Sequence, residues 1–362
     1  MSALSTVFSK KAGRVSIAVA SVAVAAVALS GCASSSTPAS SDSASGSASA
    51  APADYGTLKL QLSWIKDNEF AGEFFADSKG YYKAAGFDGV TMTPGPTTGT
   101  AELLSGKADI ALSDAVSVGS AVAKGQPLKI IGTTYQKNPF TILSLKEKTP
   151  ISTPAELKGK TIGVDDSNTA LFNAFLAANG LKPSDVKVVP GAFNGPTLLE
   201  AGKVDGYVSY LTNESIAVGE DGFTAVNLPF ADNNLPFVAE TVTTTADTIK
   251  NKPDMLKAFL KAEIQGWNDA VADPDGGATL AVENYGKALK LDPKAEKLGA
   301  EAQVALVTTD DTKANGIFTI SDELQSETVS SLAKAGVTVK GSDLFDLSLL
   351  DAVYKANPDL IK

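Results

Sequence analysis

Rings, amides and carboxylates recur just after short apolar runs of this 362-residue chain: Trp64, Asn68 and Glu69; Thr97 and Thr98; Ser113 and Asp114; Tyr135 and Gln136; Asp165, Ser167 and Asn168; Phe193 and Asn194; Tyr210, Asn213 and Glu214. Together these groups can recognise a small molecule. Trp64 either stacks on a planar ring, for about 0.5–1.5 kcal/mol beyond buried area, or serves as an ordinary core tryptophan. Asn68 and Glu69 either reach a ligand or decorate a loop. Asp114 and the run Asp165 to Thr169 sit where a strand hands over to a helix, so they either cap that helix or touch a ligand. Pro94 to Gly99 is either a plain turn or a place where backbone amides approach a bound group.

Bond-making chemistry finds little support. The chain has no histidine, one cysteine (Cys32) and one arginine (Arg14). Ser-His-Asp or Cys-His nucleophiles and histidine metal sites are closed to it, so no catalytic residue, metal or cofactor is expected. Arg14 lies before the expected folded body, which therefore has no forked guanidinium for bidentate grips on phosphate, sulfonate or carboxylate.

The elements that must position these groups begin after a leader. Lys10, Lys11 and Arg14 precede an Ala/Val-rich run from Val15 to Leu29, and Leu29-Ser30-Gly31-Cys32 closes it. That is the layout of a signal peptide over residues 1–31, and the run is shorter than the roughly 20 apolar residues of a permanent span. Leu-Ser-Gly-Cys resembles the bacterial lipobox, which implies a diacylated Cys32, attachment to the cell membrane and an extracytoplasmic location. Residues 32–54, nearly all Ser, Ala, Thr, Gly and Pro at first, read as a flexible tether. Removing the leader's three basic residues leaves 28 basic against 41 acidic side chains, a net charge of −13. So acidic a body does not suit nucleic acid, whose partners need a basic stripe.

Beyond Tyr55, short apolar runs alternate with helical ones. Thr57–Leu62, Val90–Thr93, Ile110–Ser113 and Leu128–Thr133 read as strands, with helices over Glu73–Ala85, Thr100–Ser105 and Asp114–Ala123. A second set places strands at Thr161–Val164, Val186–Val189 and Gly206–Val208, and helices at Thr169–Ala178 and Pro196–Ala201. Such alternation predicts βαβ units and mostly parallel sheets. Pro150 and the Ser152-Thr153-Pro154 cap signal make the region around Leu145 to Pro154 a lobe boundary. The last third reads as helical, with Leu256, Leu260, Ile264, Trp267 and Val271 on one stripe, which assigns Trp267 to the core. The expected organisation is residues 55–147 in lobe 1, 148–238 in lobe 2, and 239–362 returning to lobe 1.

Longer motifs carry a family resemblance. Trp64 to Gly72, Lys79-Gly80-Tyr81-Tyr82-Lys83, Ala85-Gly86-Phe87, Leu104 to Ile110, Lys124-Gly125-Gln126-Pro127, Pro154 to Gly163, Gly202 to Gly206 and Asn213-Glu214 are similar to type 2 periplasmic binding proteins for thiamine pyrimidine precursors, riboflavin and alkylsulfonates. The resemblance implies an α/β, two-lobe type 2 periplasmic-binding-protein fold, each lobe a mostly parallel sheet flanked by helices, with the ligand cleft between lobes. It also implies a monomeric solute-binding subunit of an ABC importer, whose partners are a permease with its ATPase, and places Asn213 and Glu214 near the ligand. A small, neutral or weakly cationic heteroaromatic solute, such as a thiamine pyrimidine precursor or a flavin, suits the residues best. The alternatives are an alkylsulfonate or other organic acid, and a sensory lipoprotein that does not transport. Pyrimidine synthases of the same superfamily consume a histidine of their own, which this chain lacks.

Overall fold

The structure, a computed structural model, describes residues 53–190 and 195–362. The expected leader, Cys32 and nearly all of the tether lie outside the described residues, as do Phe193 and Asn194.

Two five-stranded sheets carry the fold. The first holds β1 (Thr57–Gln61), β2 (Gly89–Thr93), β3 (Ile110–Asp114), β4 (Leu128–Tyr135) and β10 (Ala239–Thr245), in the order β2-β1-β3-β10-β4. Its helices include α1 (Ala71–Ser78), α2 (Tyr81–Ala84), α3 (Thr100–Leu104) and α4 (Ala115–Ala123). The second sheet holds β5 (Phe140–Leu145), β6 (Thr161–Val164), β7 (Lys187–Pro190), β8 (Gly206–Tyr210) and β9 (Ala225–Pro229), ordered β7-β6-β8-β5-β9, with α5 (Thr169–Ala178), α6 (Gly195–Glu200) and α7 (Glu214–Glu220). After β10 the chain is helical: α8 (Ala246–Asn251), α9 (Pro253–Ala272), α10 (Pro274–Leu280), α11 (Pro293–Val307), α12 (Asp310–Asn315), α13 (Asp322–Lys334), α14 (Gly341–Leu344) and α15 (Ser348–Ala356).

The βαβ strands pair in parallel, β1 with β2 and β3, and β6 with β7 and β8. Each sheet also takes in an antiparallel strand, β10 between β3 and β4, and β5 between β8 and β9. The α/β architecture is as expected, while the sheets are mixed, because only strands joined by crossover helices announce themselves by alternation. Sheet membership also moves the lobe boundary. An edge near residue 147 would leave β5 in the first lobe, yet β5 pairs only within the second sheet, so the chain crosses between Tyr135 and Phe140. It recrosses between Pro229 and Ala239. Asn138 ties the two crossings together, its backbone N–H donating to Phe237 O (2.9 Å) and its side chain to Leu235 O (3.0 Å).

Local rules explain most helix ends. Asp114 caps α4 by accepting from Ser117 N, Asp292 caps α11 through Lys294 N and Ala295 N, and Pro253 and Pro293 open their helices where no N–H is needed. The single helix expected over Glu73–Ala85 is broken, because Gly80 adopts φ 74° and separates α1 from α2.

Helix α1 lies close against α9, and small residues permit the approach. A Cβ on Gly266 would stand 2.1 Å from Gly72 O, and one on Gly72 would enter the Trp267 ring. The same contact buries Glu73 and Glu263. Trp267 Nε1–H donates to Glu73 Oε1 (3.3 Å) and the Tyr82 hydroxyl donates to Glu263, which leaves the Oε2 atom of each carboxyl without another donor. A proton shared between the two acids satisfies both. Burial pushes Glu73 up to about 8, and Glu263 rises for the same reason with the Glu73 charge adding to it.

Two predictions follow from this contact. Gly266→Ala forces two backbones apart and lowers stability by about 1–3 kcal/mol, read as a fall in urea midpoint. A carboxyl raised in the folded state favours the protonated chain, so its stabilisation is complete below the ordinary value of 4.5 and is lost as pH climbs towards about 8. The melting temperature should therefore drop on the order of 5 °C between pH 5 and pH 8, and Glu73→Gln, which carries its own N–H, should flatten that drop.

Candidate functional site

Loops at the carboxyl ends of the parallel strands converge on one cleft, as expected for an open α/β sheet. Beyond β1 the chain delivers Ser63 and Trp64, then a short turn of helix at Asn68–Phe70 capped by Asp67, whose side chain accepts from Glu69 N (3.1 Å). The turn beyond β2 is laced to this segment: Gly95 N donates to Trp64 O (2.7 Å) and Thr97 N to Ser63 O (3.1 Å). Any side chain at Gly95 would collide with Ser63 O, since its Cβ would fall 2.3 Å away. Ser113, at the end of β3, donates from Oγ to Thr98 O (2.7 Å) and holds the turn from below.

The cleft encloses about 530 Å³, counting the part open to solvent. Trp64, Phe140, Tyr207 and Tyr210 give it aromatic walls, with Phe140 and Tyr210 packed edge to face at 4.5 Å. Its acidic groups are Glu69, Asp114, Glu214 and Glu240, and no lysine or arginine lines it among the described residues. Among those residues no group of three or more acids and cysteines is arranged to hold a metal ion.

Hydrogen bonds cross the cleft in one chemical sense. The first lobe supplies carboxyls and the second supplies neutral donors: Asn213 Nδ2 donates to Asp67 Oδ2 (3.1 Å) and Glu69 Oε2 (3.3 Å), and the Tyr210 hydroxyl donates to Glu240 Oε1 (2.9 Å). Ser63 Oγ lies 3.0 Å from Glu69 Oε1 and 2.9 Å from Glu240 Oε2. Burial raises every one of these acids. Glu69 stands well above its ordinary value, with the Glu240 and Asp67 charges adding to burial; Asp67 rises likewise, helped by Glu296. Glu240 is pushed up to about 7 by burial, held there by hydrogen bonds with Glu69, Ser63 and Tyr210 that act the other way. Asp114 and Glu214 also rise through burial.

Eleven of the residues singled out in the sequence line this cleft: Trp64, Glu69, Thr97, Thr98, Ser113, Asp114, Ser167, Asn168, Tyr210, Asn213 and Glu214. Three stand behind it. Asn68 is tied to α11, its backbone and side-chain N–H groups donating to Glu296 Oε2 (2.7 and 3.1 Å). Tyr135 is buried with its hydroxyl on Gln303 Oε1 (2.9 Å). Asp165 caps the turn after β6 through Ser167 N and Oγ. Asp165 takes the capping role that was one of its two expected alternatives, Asn68 serves its loop and α11, and Tyr135, expected at the mouth because it follows a strand, turns to a helix partner. Asp114 does both, capping α4 and lining the cleft.

Sequence reasoning missed Ser63, Phe140, Tyr207, Val208, Ser209 and Glu240. Glu240 is the most consequential. It occupies a bulge in β10, where Ala239 pairs with Asp114 and Thr241 with Ser113, and its φ is 47°. A non-glycine residue holds that conformation at a cost, and the bulge turns the carboxyl out of the ladder into the cleft.

Comparison with known proteins agrees with this architecture. The family model described as NMT1/THI5 like matches residues 67–276, more than half of the chain. The chain is 27% identical over 253 residues to the riboflavin-binding protein RibY of Chloroflexus aurantiacus, covering 65% of this chain and 69% of that one. It is 30% identical over 135 residues to a 4-amino-5-hydroxymethyl-2-methylpyrimidine phosphate synthase of Schizosaccharomyces pombe, spanning 37% of this chain and only 39% of the synthase. Among solved structures, the alkanesulfonate-binding protein SsuA of Xanthomonas axonopodis pv. citri superposes with a TM-score of 0.60 at 16% identity, over 80% of this chain and 96% of that one. Neighbours of this kind share the periplasmic-binding-protein fold.

The strained bulge gives a direct test. Glu240→Gly should be about 1 kcal/mol more stable than Glu240→Ala, since only alanine must hold the left-handed backbone, and thermal melts of the two variants measure the difference.

Proposed function

The chain belongs to the NMT1/THI5-like family, and from that premise we propose that it is the solute-binding lipoprotein of an ABC importer, held outside the cell membrane by the lipid on Cys32. Its ligand is a small nitrogen heterocycle, a thiamine pyrimidine precursor or a riboflavin-like compound, which it presents as a monomer to a permease and its ATPase. The observation that carries this reading is the charge of the cleft: among the described residues, four carboxyls and no basic side chain between aromatic walls. A flat ring stacks between such walls, and amino or ring N–H groups find acceptors on the carboxyls.

An anionic solute is the weaker choice despite the shared fold. A sulfonate would enter among carboxyls with no cation to meet it, and desolvating an anion without a partner is strongly unfavourable. Synthesis of a pyrimidine is weaker still, for the chain has no histidine to consume and its one cysteine belongs to the proposed anchor. The residues assigned to ligand contact are Trp64, Glu69, Thr97, Thr98, Ser113, Asp114, Ser167, Asn168, Tyr210, Asn213 and Glu214, joined by Glu240.

Isothermal titration of the purified protein against 4-amino-5-hydroxymethyl-2-methylpyrimidine, riboflavin and an alkanesulfonate tests the proposal. One of the two heterocycles should bind, and Trp64→Ala should weaken it roughly 10-fold through lost stacking and burial. Binding of the sulfonate alone would reject the reading.

A further inference from the structure

The Ser63 hydroxyl has one proton, yet it lies at hydrogen-bond distance from both Glu69 Oε1 (3.0 Å) and Glu240 Oε2 (2.9 Å). With both carboxyls ionised, one of those contacts would set a lone pair against a lone pair. The neighbouring donors are already committed: Tyr210 OH to Glu240 Oε1, Asn213 Nδ2 to Glu69 Oε2 and Asp67 Oδ2. The remaining ionisable groups around the pair, Asp67, Glu73, Asp114 and Glu214 with the phenols Tyr135 and Tyr210, are acids, and among the described residues no lysine lines the cleft. One hydroxyl proton thus serves two carboxyl oxygens, and a proton held by the pair relieves the conflict. The bulge at Glu240, in a left-handed conformation that a regular strand would avoid, delivers the second carboxyl to this place.

We propose that the Glu69–Glu240 pair is a one-proton subsite that takes the heterocycle as its conjugate acid: the proton held by the two carboxyls moves to a ring nitrogen of the ligand, leaving carboxylate facing cation. This rests on the solute-binding reading and names the form in which the solute is held. In the transfer one carboxyl O–H bond breaks, one ring N–H bond forms, and no other reactant is needed. An aminopyrimidine is the fitting class, because its amino group makes a ring nitrogen basic and offers a second N–H in the same plane. The product is a pair of charge-assisted hydrogen bonds shielded from water, stronger than the neutral pair it replaces.

The complex contains ligand, carboxyl pair and one proton, which fixes how binding responds to pH. Once pH passes the value of about 7 to which burial pushes Glu240, the pair gives up its proton and must regain one from solvent; at low pH the ligand arrives already protonated and the pair must release its own. Affinity is then greatest near neutrality and declines on both sides, by about tenfold per pH unit at the alkaline limit.

The test uses the full chain and 4-amino-5-hydroxymethyl-2-methylpyrimidine labelled with ¹⁵N in the ring. Calorimetry from pH 5 to pH 9 should show that maximum, and the ¹⁵N shift of bound ligand at pH 8 should be that of a protonated ring nitrogen while free ligand is neutral. Glu240→Gln and, separately, Glu69→Gln should each lower affinity roughly 10- to 100-fold and abolish the alkaline limb, with melting curves confirming that each variant is folded. A flat pH profile, or a neutral ring nitrogen in the bound state, overturns the proposal. Binding of riboflavin without binding of the pyrimidine overturns it too while leaving the solute-binding reading in place; binding of an alkanesulfonate alone removes both.

Discussion

Carboxyl groups buried without cations are the constraint on which this molecule turns. An acid removed from water must be protonated, hydrogen-bonded or both, and the chain uses neutral donors to meet that requirement. The two lobes are joined across the cleft by one instance of it, in which Asn213 and Tyr210 from the second lobe donate to Asp67, Glu69 and Glu240 of the first. Helix α11 repeats the device behind the cleft, where Glu296 accepts from Asn68; nearer the surface an ordinary ion pair, Lys294 to Glu220 of α7 at 2.7 Å, joins α11 to the second lobe. Cohesion between the lobes thus rests largely on acceptors whose charge depends on their surroundings.

The parts of the fold visible in the sequence are those governed by local rules. Strands β1 to β4 and β6 to β8 are short apolar runs, and Asp114, Pro253 and Pro293 mark helix starts where the structure has them. What escaped notice obeys tertiary rules. β10 reads Ala-Glu-Thr-Val-Thr-Thr-Thr, hardly an apolar run, yet Thr241, Thr243 and Thr244 are wholly buried because their hydroxyls find partners inside, on Thr241 O and Asp109 O among them. Without that strand, nothing in the sequence marks Glu240 as a cleft residue. The acids nearest to strand ends were legible as candidates, but whether Asp165 or Tyr135 faces the cleft depends on partners distant in sequence such as Gln303.

A fold shared with anion-binding proteins says little about the ligand, because specificity resides in the few groups that line the cleft. Those groups here invert the usual polarity of an anion site, which would offer arginine or clustered amides. The distinction was foreshadowed by composition, a chain with no histidine and no arginine beyond Arg14, and takes shape in the placement of Glu69 and Glu240 under one serine hydroxyl. Composition limits the chemistry; topology decides where what remains is concentrated.

The position of β10 also has a consequence for how the chain acquires its structure. β3 and β4 are successive in sequence, yet they are not neighbours: β10 lies between them, and β4 pairs with no other named strand. The second sheet, by contrast, is drawn from one uninterrupted stretch, Phe140 to Pro229. The second lobe can thus assemble from contiguous chain, whereas the first must hold a gap open until residues more than a hundred positions beyond β4 arrive to fill it. Closing so long a loop slows the search for the native state. Folding order is therefore written into the sheet: the lobe that begins first finishes last, and the strand that completes it brings the carboxyl on which the cleft depends.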